Sequence, residues 1–374
     1  MEQELSMLSE KVAGFIANPE EAAGESRFNE LALEVFDCQY RLIAPYRRLC
    51  QSRDRSPANV RHWREIPAVP ADALKHFFLF AGKAEEVART FKSSGTTQAG
   101  RQSQAHFSET GLQLMNASVE ANARARLFPE RQKIRILALT PSPEQAPELI
   151  MVHGMSRMLR KFGDAESRFC FGMSRLDLPA LFDELKRSVE TGAPVALLGS
   201  SFGFVHLFDA MEEQGLKFRL PAGSRLMDAG GYKGRSREIE RSAFVQWAMS
   251  MLGLPSDRVI NLLGMTELAS QIYDQVGAQS QSSANGRAKA PPHWVRSLLV
   301  DPAKSRDGEL AEAEAGRPGL LRHFDLANVE RPIAIQSEDI AVAHGNGYEV
   351  LRRTKGAEPR GCSLSLEEFN GRQA

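Results

Sequence analysis

The chain has 374 residues, with 47 Lys and Arg balanced by 47 Asp and Glu. That balance argues against nucleic acid or an anionic membrane as the main partner, because both are bound through excess positive charge. Four scattered cysteines without a C-x-x-C pair, an acidic N-terminus without a signal-peptide core, and no run of ~18 apolar residues together predict a soluble, cytoplasmic chain without membrane insertion.

Residues 1–66 read as helical. Across residues 30–43 the apolar positions recur at helical spacing, and Pro45 ends or bends that helix. Cys38 and Cys50 fall in or just after it and read as buried, inert thiols. Ile66-Pro67-Ala68-Val69-Pro70 is an extended connector, and Asp72 is positioned to cap a short helix through Lys75 and His76. An Arg-Thr-Phe strand then leads into Phe91-Lys92-Ser93-Ser94-Gly95-Thr96-Thr97-Gln98-Ala99-Gly100-Arg101. Glycine lets backbone N–H groups approach a phosphate, Ser and Thr add hydroxyl donors, and Lys92 or Arg101 adds charge. The stretch is not a Walker A loop, which needs a Lys directly before the final hydroxyl, nor a dinucleotide fingerprint. A plain solvated loop has the same composition.

Residues 107–127 read as a helix with Ser108 and Glu109 at its start, where the dipole can help hold an anion. Strand 134–139, helix 147–161, strand 168–171, helix 179–190 and strand 194–199 then alternate, which predicts parallel strands with crossover helices. Ser200-Ser201-Phe202-Gly203 lies where open α/β sheets hold ligands, and His206 reads as a packed helix residue. Strand Arg225–Ala229 runs into Gly230-Gly231-Tyr232-Lys233-Gly234-Arg235. Adjacent glycines let a flat ring lie against the backbone and Tyr232 can stack on it; a tight turn is the simpler account. After a helix at 236–252 and a strand at 258–263, Gly264-Met265-Thr266-Glu267 puts a carboxylate beside a hydroxyl at a strand end. Such a pair suits Mg²⁺ carried by phosphates and is also a common helix cap.

Residues 275–292 read as a polar surface loop, 294–300 as a strand, and Asp307-Gly308-Glu309-Leu310 as a hairpin turn. A strand from Gly319 ends in Asp325, whose carboxylate can accept from both ribose hydroxyls of a nucleotide or simply shape a turn. Cys362 stands among Arg353, Lys355 and Arg360, cations that lower a thiol's pKa when they surround it in space; a buried thiol is the alternative. Phe202, Phe204, Met227 and Met265 suit either an apolar ligand tail or plain core.

In order and broad spacing across residues 90–365, four of these stretches resemble motifs of the adenylate-forming enzymes. Ser93-Ser94-Gly95-Thr96-Thr97 resembles their phosphate loop, Gly230-Gly231-Tyr232 their adenine loop, Gly264-Met265-Thr266-Glu267 their Tyr-Gly-x-Thr-Glu motif, and Asp325 their ribose-binding Asp. Within that superfamily, residues 91–97, 228–235, 263–267, 325–328 and above all Gly356-Ala357-Glu358-Pro359-Arg360-Gly361-Cys362-Ser363 resemble the acyl-protein synthetase family of bacterial bioluminescence, the ligase component of the fatty acid reductase complex.

The resemblance implies an α/β fold, the large domain of adenylate-forming enzymes, with mixed sheets flanked by helices. That domain would span residues 1–350, with a hinge-like tail at 351–374 and the C-terminal domain of larger relatives, with its catalytic Lys, truncated. ATP would contact Ser93, Ser94, Gly95, Thr96, Thr97, Gly230, Gly231, Tyr232, Thr266 and Asp325. Glu267 would bind Mg²⁺, and Cys362 would accept the acyl group from the adenylate. The substrate would be a fatty or other carboxylic acid, and the thioester would pass to an acyl reductase partner. The Gly-x-Pro-Lys-Gly continuation of the superfamily's phosphate loop is replaced by Gln98 to Arg101, which leaves the basic contact to Arg101 or Lys92. Two alternatives stand beside this reading: an acyl- or aryl-CoA ligase that uses CoA as acceptor, and a nucleotide-binding protein without ligase chemistry.

Overall fold

The structure is a computed structural model that describes residues 2–22, 25–93, 102–130, 132–172, 175–231, 236–275, 282–283, 286–301, 303–304 and 311–353. Its helices are α1 (Glu2–Ala17), α2 (Ser26–Leu42), α3 (Ala44–Ser52), α4 (Glu109–Arg126), α5 (Ile150–Phe162), α6 (Leu178–Thr191), α7 (Ser201–Glu213) and α8 (Arg241–Leu252). Its strands are β1 (Val69–Pro70), β2 (Arg89–Lys92), β3 (Gln104–Phe107), β4 (Arg135–Leu139), β5 (Arg168–Phe169), β6 (Val195–Ser200), β7 (Arg225–Ala229), β8 (Val259–Leu263) and β9 (Ile272–Asp274), then β10 (Ser282–Ser283), β11 (Gly286–Arg287), β12 (Lys289–Ala290), β13 (Val295–Val300), β14 (Gly319–Asp325), β15 (Ala334–His344) and β16 (Gly347–Arg353). The chain divides into two compact units. One comprises Met1–Ser118, Thr266–Ser270 and Ala290–Ala374; the other comprises Val119–Met265 and Gln271–Lys289. Among the described residues no helix is long and apolar enough to cross a membrane.

In the second unit β5, β4, β6, β7 and β8 lie side by side, all parallel, and β9 joins β8 antiparallel. The central strands β4, β6, β7 and β8 are mostly apolar because both faces are covered. Leu137, Leu139, Val195, Leu197, Leu226 and Val259 point to one side, into a cluster with Leu181, Phe204, Phe208 and Phe244 of α6, α7 and α8. Ile136, Ala196, Leu198, Met227 and Ile260 point to the other, against Val119, Ala123, Met155 and Met158 of α4 and α5. Of the four apolar residues left open between a ligand pocket and core, Phe204 and Met227 are thus core, while Phe202 and Met265 are half-buried. Side-chain caps mark the starts of two of these helices. Asp177 Oδ1 accepts from Ala180 N (3.2 Å) to cap α6, and Ser200 Oγ accepts from Gly203 N (3.2 Å) to cap α7.

In the first unit β13, β14, β15 and β16 form an antiparallel meander, and β1 adds to β15 in parallel. Trp63 binds the helical region to this sheet, edge-on to Phe28 of α2 and to Phe324 of β14. Pro45 stands in the first turn of α3, just after the break at Ile43, as its missing N–H requires.

Several local expectations shift. Asp72 does not cap Ala71–Lys75; it pairs with Lys75 at 2.6 Å inside that 3₁₀ turn. Phe107 closes β3, and the helix starts at Glu109. The helix expected from 236 starts at Arg241, where Glu240 supplies the cap. His206 is exposed rather than packed. The region 275–292 is not simply a surface loop, since Lys289 is buried. Residues 307–310 lie outside the described residues.

His323 of β14 is fully buried, with Nδ1 2.9 Å from Ser297 Oγ. Burial holds its pKa down from 6.5 to about 4. Between those values the unfolded chain binds a proton that the folded chain excludes, so stability falls as pH falls. The expected slope is about 1.4 kcal/mol per pH unit from this one residue. Urea midpoints measured from pH 7 to 4 will show that slope, and His323→Gln will flatten it.

Candidate active site

In the first unit, β2 and β3 form a hairpin whose far end carries the Ser/Thr/Gly run. Ser93 N donates to Ser103 O (2.9 Å), Ser103 N donates to Ser93 Oγ (3.1 Å), and Gln102 Nε2 donates to Ser93 O (2.8 Å). Both ends of the run are therefore anchored. Ser94, Gly95, Thr96, Thr97 and Arg101 lie outside the described residues.

Thr266 and Glu267 follow Gly264-Met265 after β8 and are buried. Their segment is held by the end of β14 and the loop after it. Asp325 Oδ2 accepts from Ser270 N (2.8 Å), and Oδ1 accepts from Ser270 Oγ (2.7 Å) and Ala327 N (3.0 Å). Asn328 Oδ1 accepts from Ala269 N (3.0 Å), and its Nδ2 donates to Glu267 O (3.0 Å). So the structure brings Asp325 together with the Thr266–Glu267 segment. The oxygens that the sequence reading gave to ribose are taken here by Ser270 and Ala327. The reason is burial: Asp325 is 0% exposed, burial pushes its pKa up, and the bonds from Ser270 oppose that rise.

Arg331 lies over the Phe107 ring at 3.7 Å and donates through Nη2 to Asn328. Burial lowers its pKa to about 10, and the charges of Asp325, Glu330 and Glu267 hold it up. Its Nη1 is buried without a hydrogen-bond partner. Glu330 takes Ser108 N (3.1 Å) and the Ser108 hydroxyl at the start of α4, a favourable end of the helix for an anion. A Cβ on Gly111 would fall on that carboxylate. Gly111→Ala is therefore expected to cost about 1–3 kcal/mol in a urea unfolding curve.

In the second unit, β7 ends at Asp228-Ala229 and the chain turns at Gly230 with φ +72°. Gly230 and Gly231 are exposed, and a Cβ built on Gly231 meets nothing within 4 Å. That open backbone fits a flat ring. Ser201 Oγ lies 2.9 Å from both Asp228 Oδ2 and Gly230 O, so one hydroxyl ties the turn to the strand. Beneath it is a balanced ionic network. Arg241 Nη1 reaches Asp228 Oδ1 (2.7 Å), Lys289 Nζ reaches Asp274 Oδ1 (2.7 Å), and Asn261 donates to Asp228 Oδ2 (2.9 Å) and, through its N–H, to Asp274 Oδ2 (2.8 Å). Burial lowers the Lys289 pKa and Asp274 opposes this. Sequence reasoning missed Arg241, Asp274 and Lys289, which share no motif. Tyr232 lies outside the described residues.

Among the described residues no group of three or more His, Cys, Asp or Glu forms a metal cage. The hard oxygen donors of Thr266 and Glu267 fit a cation that arrives with phosphates and keeps its waters, as Mg²⁺ does. Cys38, Cys50 and Cys170 are all buried, and burial raises their thiols to about 11, 12 and 11. None is a thiolate at neutral pH. Cys362 lies outside the described residues.

The fold is that of an adenylate-forming enzyme. It superimposes on an open conformation of 2-hydroxyisobutyryl-CoA ligase, in complex with 2-HIB-AMP and CoA, with a TM-score of 0.61 and 14% identity, covering 89% of this chain and 74% of that one. Residues 15–370 match the family described as Acyl-protein synthetase, LuxE, and the chain belongs to that family. It is 21% identical over 371 residues to the long-chain-fatty-acid–luciferin-component ligase of Aliivibrio fischeri, covering 94% of this chain and 92% of the relative. Against the ligase of the same name from Vibrio harveyi the identity is 23% over 349 residues, covering 91% and 87%. The protein is thus a ligase that activates an acyl group.

Proposed function

We propose that the enzyme joins a long-chain fatty acid to AMP at the expense of ATP, moves the acyl group to the thiol of Cys362, and presents the thioester to an acyl reductase. The observation that carries the acceptor assignment is the state of the thiols. Every cysteine among the described residues is buried and held in the protonated form, which leaves Cys362 as the cysteine for the task.

In the first step a carboxylate oxygen attacks the α-phosphorus of ATP and pyrophosphate leaves. Ser93 to Thr97 hold the phosphates, and Gly230, Gly231 and Tyr232 take the adenine. Asp325 keeps its bonds from Ser270 and Ala327 and accepts a ribose hydroxyl on the lone pair that Oδ2 has left. Glu267 and Thr266 would hold Mg²⁺, which when bound offsets phosphate charge. Positioning supplies much of the gain, since the reactants become neighbours. In the second step the Cys362 thiolate attacks the acyl carbonyl and AMP leaves with the electron pair of the broken bond. The tail thus serves as acceptor where larger relatives employ CoA.

The test is acid-dependent exchange of labelled pyrophosphate into ATP, run across acids of graded length with magnesium present. Exchange that rises with chain length is expected. Silence with every acid rejects the reading. Labelled acyl group recovered on CoA rather than on protein favours the CoA-ligase alternative.

A further inference from the structure

The loop between β14 and β15, residues 326–333, is irregular and buried throughout. A buried irregular segment leaves backbone groups that must find partners inside the protein. Here one side chain from the N-terminal helices supplies them. Gln39 of α2 is 0% exposed. Its Nε2 donates to the carbonyls of Asn328 (2.6 Å), Val329 (3.1 Å) and Arg331, and its Oε1 accepts from Ile333 N (2.9 Å). Three carbonyls around one end and an N–H at the other settle which way the amide points.

The loop passes this order on. Asn328 uses both ends of its amide on the segment that carries Glu267, accepting from Ala269 N and donating to Glu267 O. Asp325, at the loop's first hinge, holds Ser270 by its N–H and its hydroxyl. Ser270 Oγ is braced further by Trp294 Nε1 at 2.9 Å. Glu330 reaches the start of α4 through Ser108, and its carbonyl accepts from Ala81 N at 2.8 Å. Glu267 is thus linked to Gln39 through one side chain, that of Asn328, and its backbone.

We infer that Gln39 and Asn328 are positioning residues for the metal-dependent half of the reaction: they fix the backbone that aims the Glu267 carboxylate. The inference rests on the reading of Glu267 as the carboxylate that faces magnesium, and it goes beyond that reading by giving the N-terminal helices a part in the chemistry. Residues that orient a metal ligand change metal affinity when removed, even though they touch neither metal nor substrate. A purely structural role would lower stability and leave metal dependence alone.

Gln39→Met keeps the length of the side chain and drops all its hydrogen bonds to the loop. Asn328→Ala drops the link to Glu267 without touching α2. Pyrophosphate exchange is titrated with magnesium for both variants and the wild type. The magnesium concentration at half-maximal exchange is expected to rise about 10-fold in each, while the KM for the acid moves by less than about twofold, as a loss confined to the metal half requires. Asn328→Asp, which keeps the acceptor for Ala269 N, is expected to fall between. Folded variants with the wild-type magnesium midpoint overturn the inference and leave the proposed reaction standing. Wild-type protein without exchange at any magnesium concentration sinks the proposed reaction instead. In that case, or where the variants do not fold, hydrogen exchange on the wild-type chain decides. The amides of Ala269, Ser270 and Ile333 are expected to exchange as slowly as the core of α2. Fast exchange at Ala269 and Ser270 beside a protected α2 overturns the claim.

Discussion

Cys362→Ser is expected to leave pyrophosphate exchange at the wild-type rate and to lower the acyl-protein product by more than about 10³-fold, as befits the loss of a covalent nucleophile. The separation follows from the two steps. Exchange reports only the attack of the acid on ATP, which Cys362 does not enter. The protein-bound product needs a thiolate, and a serine hydroxyl is a far poorer nucleophile near neutral pH. No other described cysteine can substitute. Cys38, Cys50 and Cys170 are buried, with thiols raised to about 11, 12 and 11. The check is incubation with labelled fatty acid and ATP, followed by denaturing electrophoresis and neutral hydroxylamine. Hydroxylamine-labile label that persists in Cys362→Ser removes the assignment.

Glu267→Gln is expected to reduce both exchange and acyl-protein formation by about 10²–10³-fold, the scale on which one preorganised charge-stabilising group counts. Gln keeps the shape of the side chain and its backbone, so Asn328 Nδ2 still finds the residue 267 carbonyl. What disappears is a negative charge beside Arg331, in a region where burial makes charges interact strongly. Together the two variants separate the steps: Cys362→Ser blocks only the second, Glu267→Gln blocks the first and therefore both. A folded Glu267→Gln with undiminished exchange would show that the metal is held elsewhere.

Much of the scaffold was legible in the order of residues. The alternation of strands and helices from 134 to 199 predicted the parallel strands β4, β5 and β6, because parallel strands are joined by crossover helices. The strand ends also fall where expected, so Gly230 directly follows β7 and the segment that carries Glu267 follows β8. The partners of those residues were not legible. Asp325 read as a free carboxylate at a strand end, yet its oxygens hold Ser270 and Ala327. Lys289 read as part of a polar surface loop, yet it is buried against Asp274. Gln39 lay in a helix that read as plain packing.

Periodicity, glycine spacing and the run of motifs, all local along the chain, determined the strand–helix alternation, the strand-end motifs and, through resemblance, the family. Only the tertiary structure decided which polar residues are spent on holding the protein and which stay open to a ligand. The physical reason is that a buried donor or acceptor must be satisfied by whatever lies nearest in space. The residues that satisfy it, Gln39 for the loop after β14 and Ser270 for Asp325, are set by how distant segments pack, which no spacing along the chain encodes.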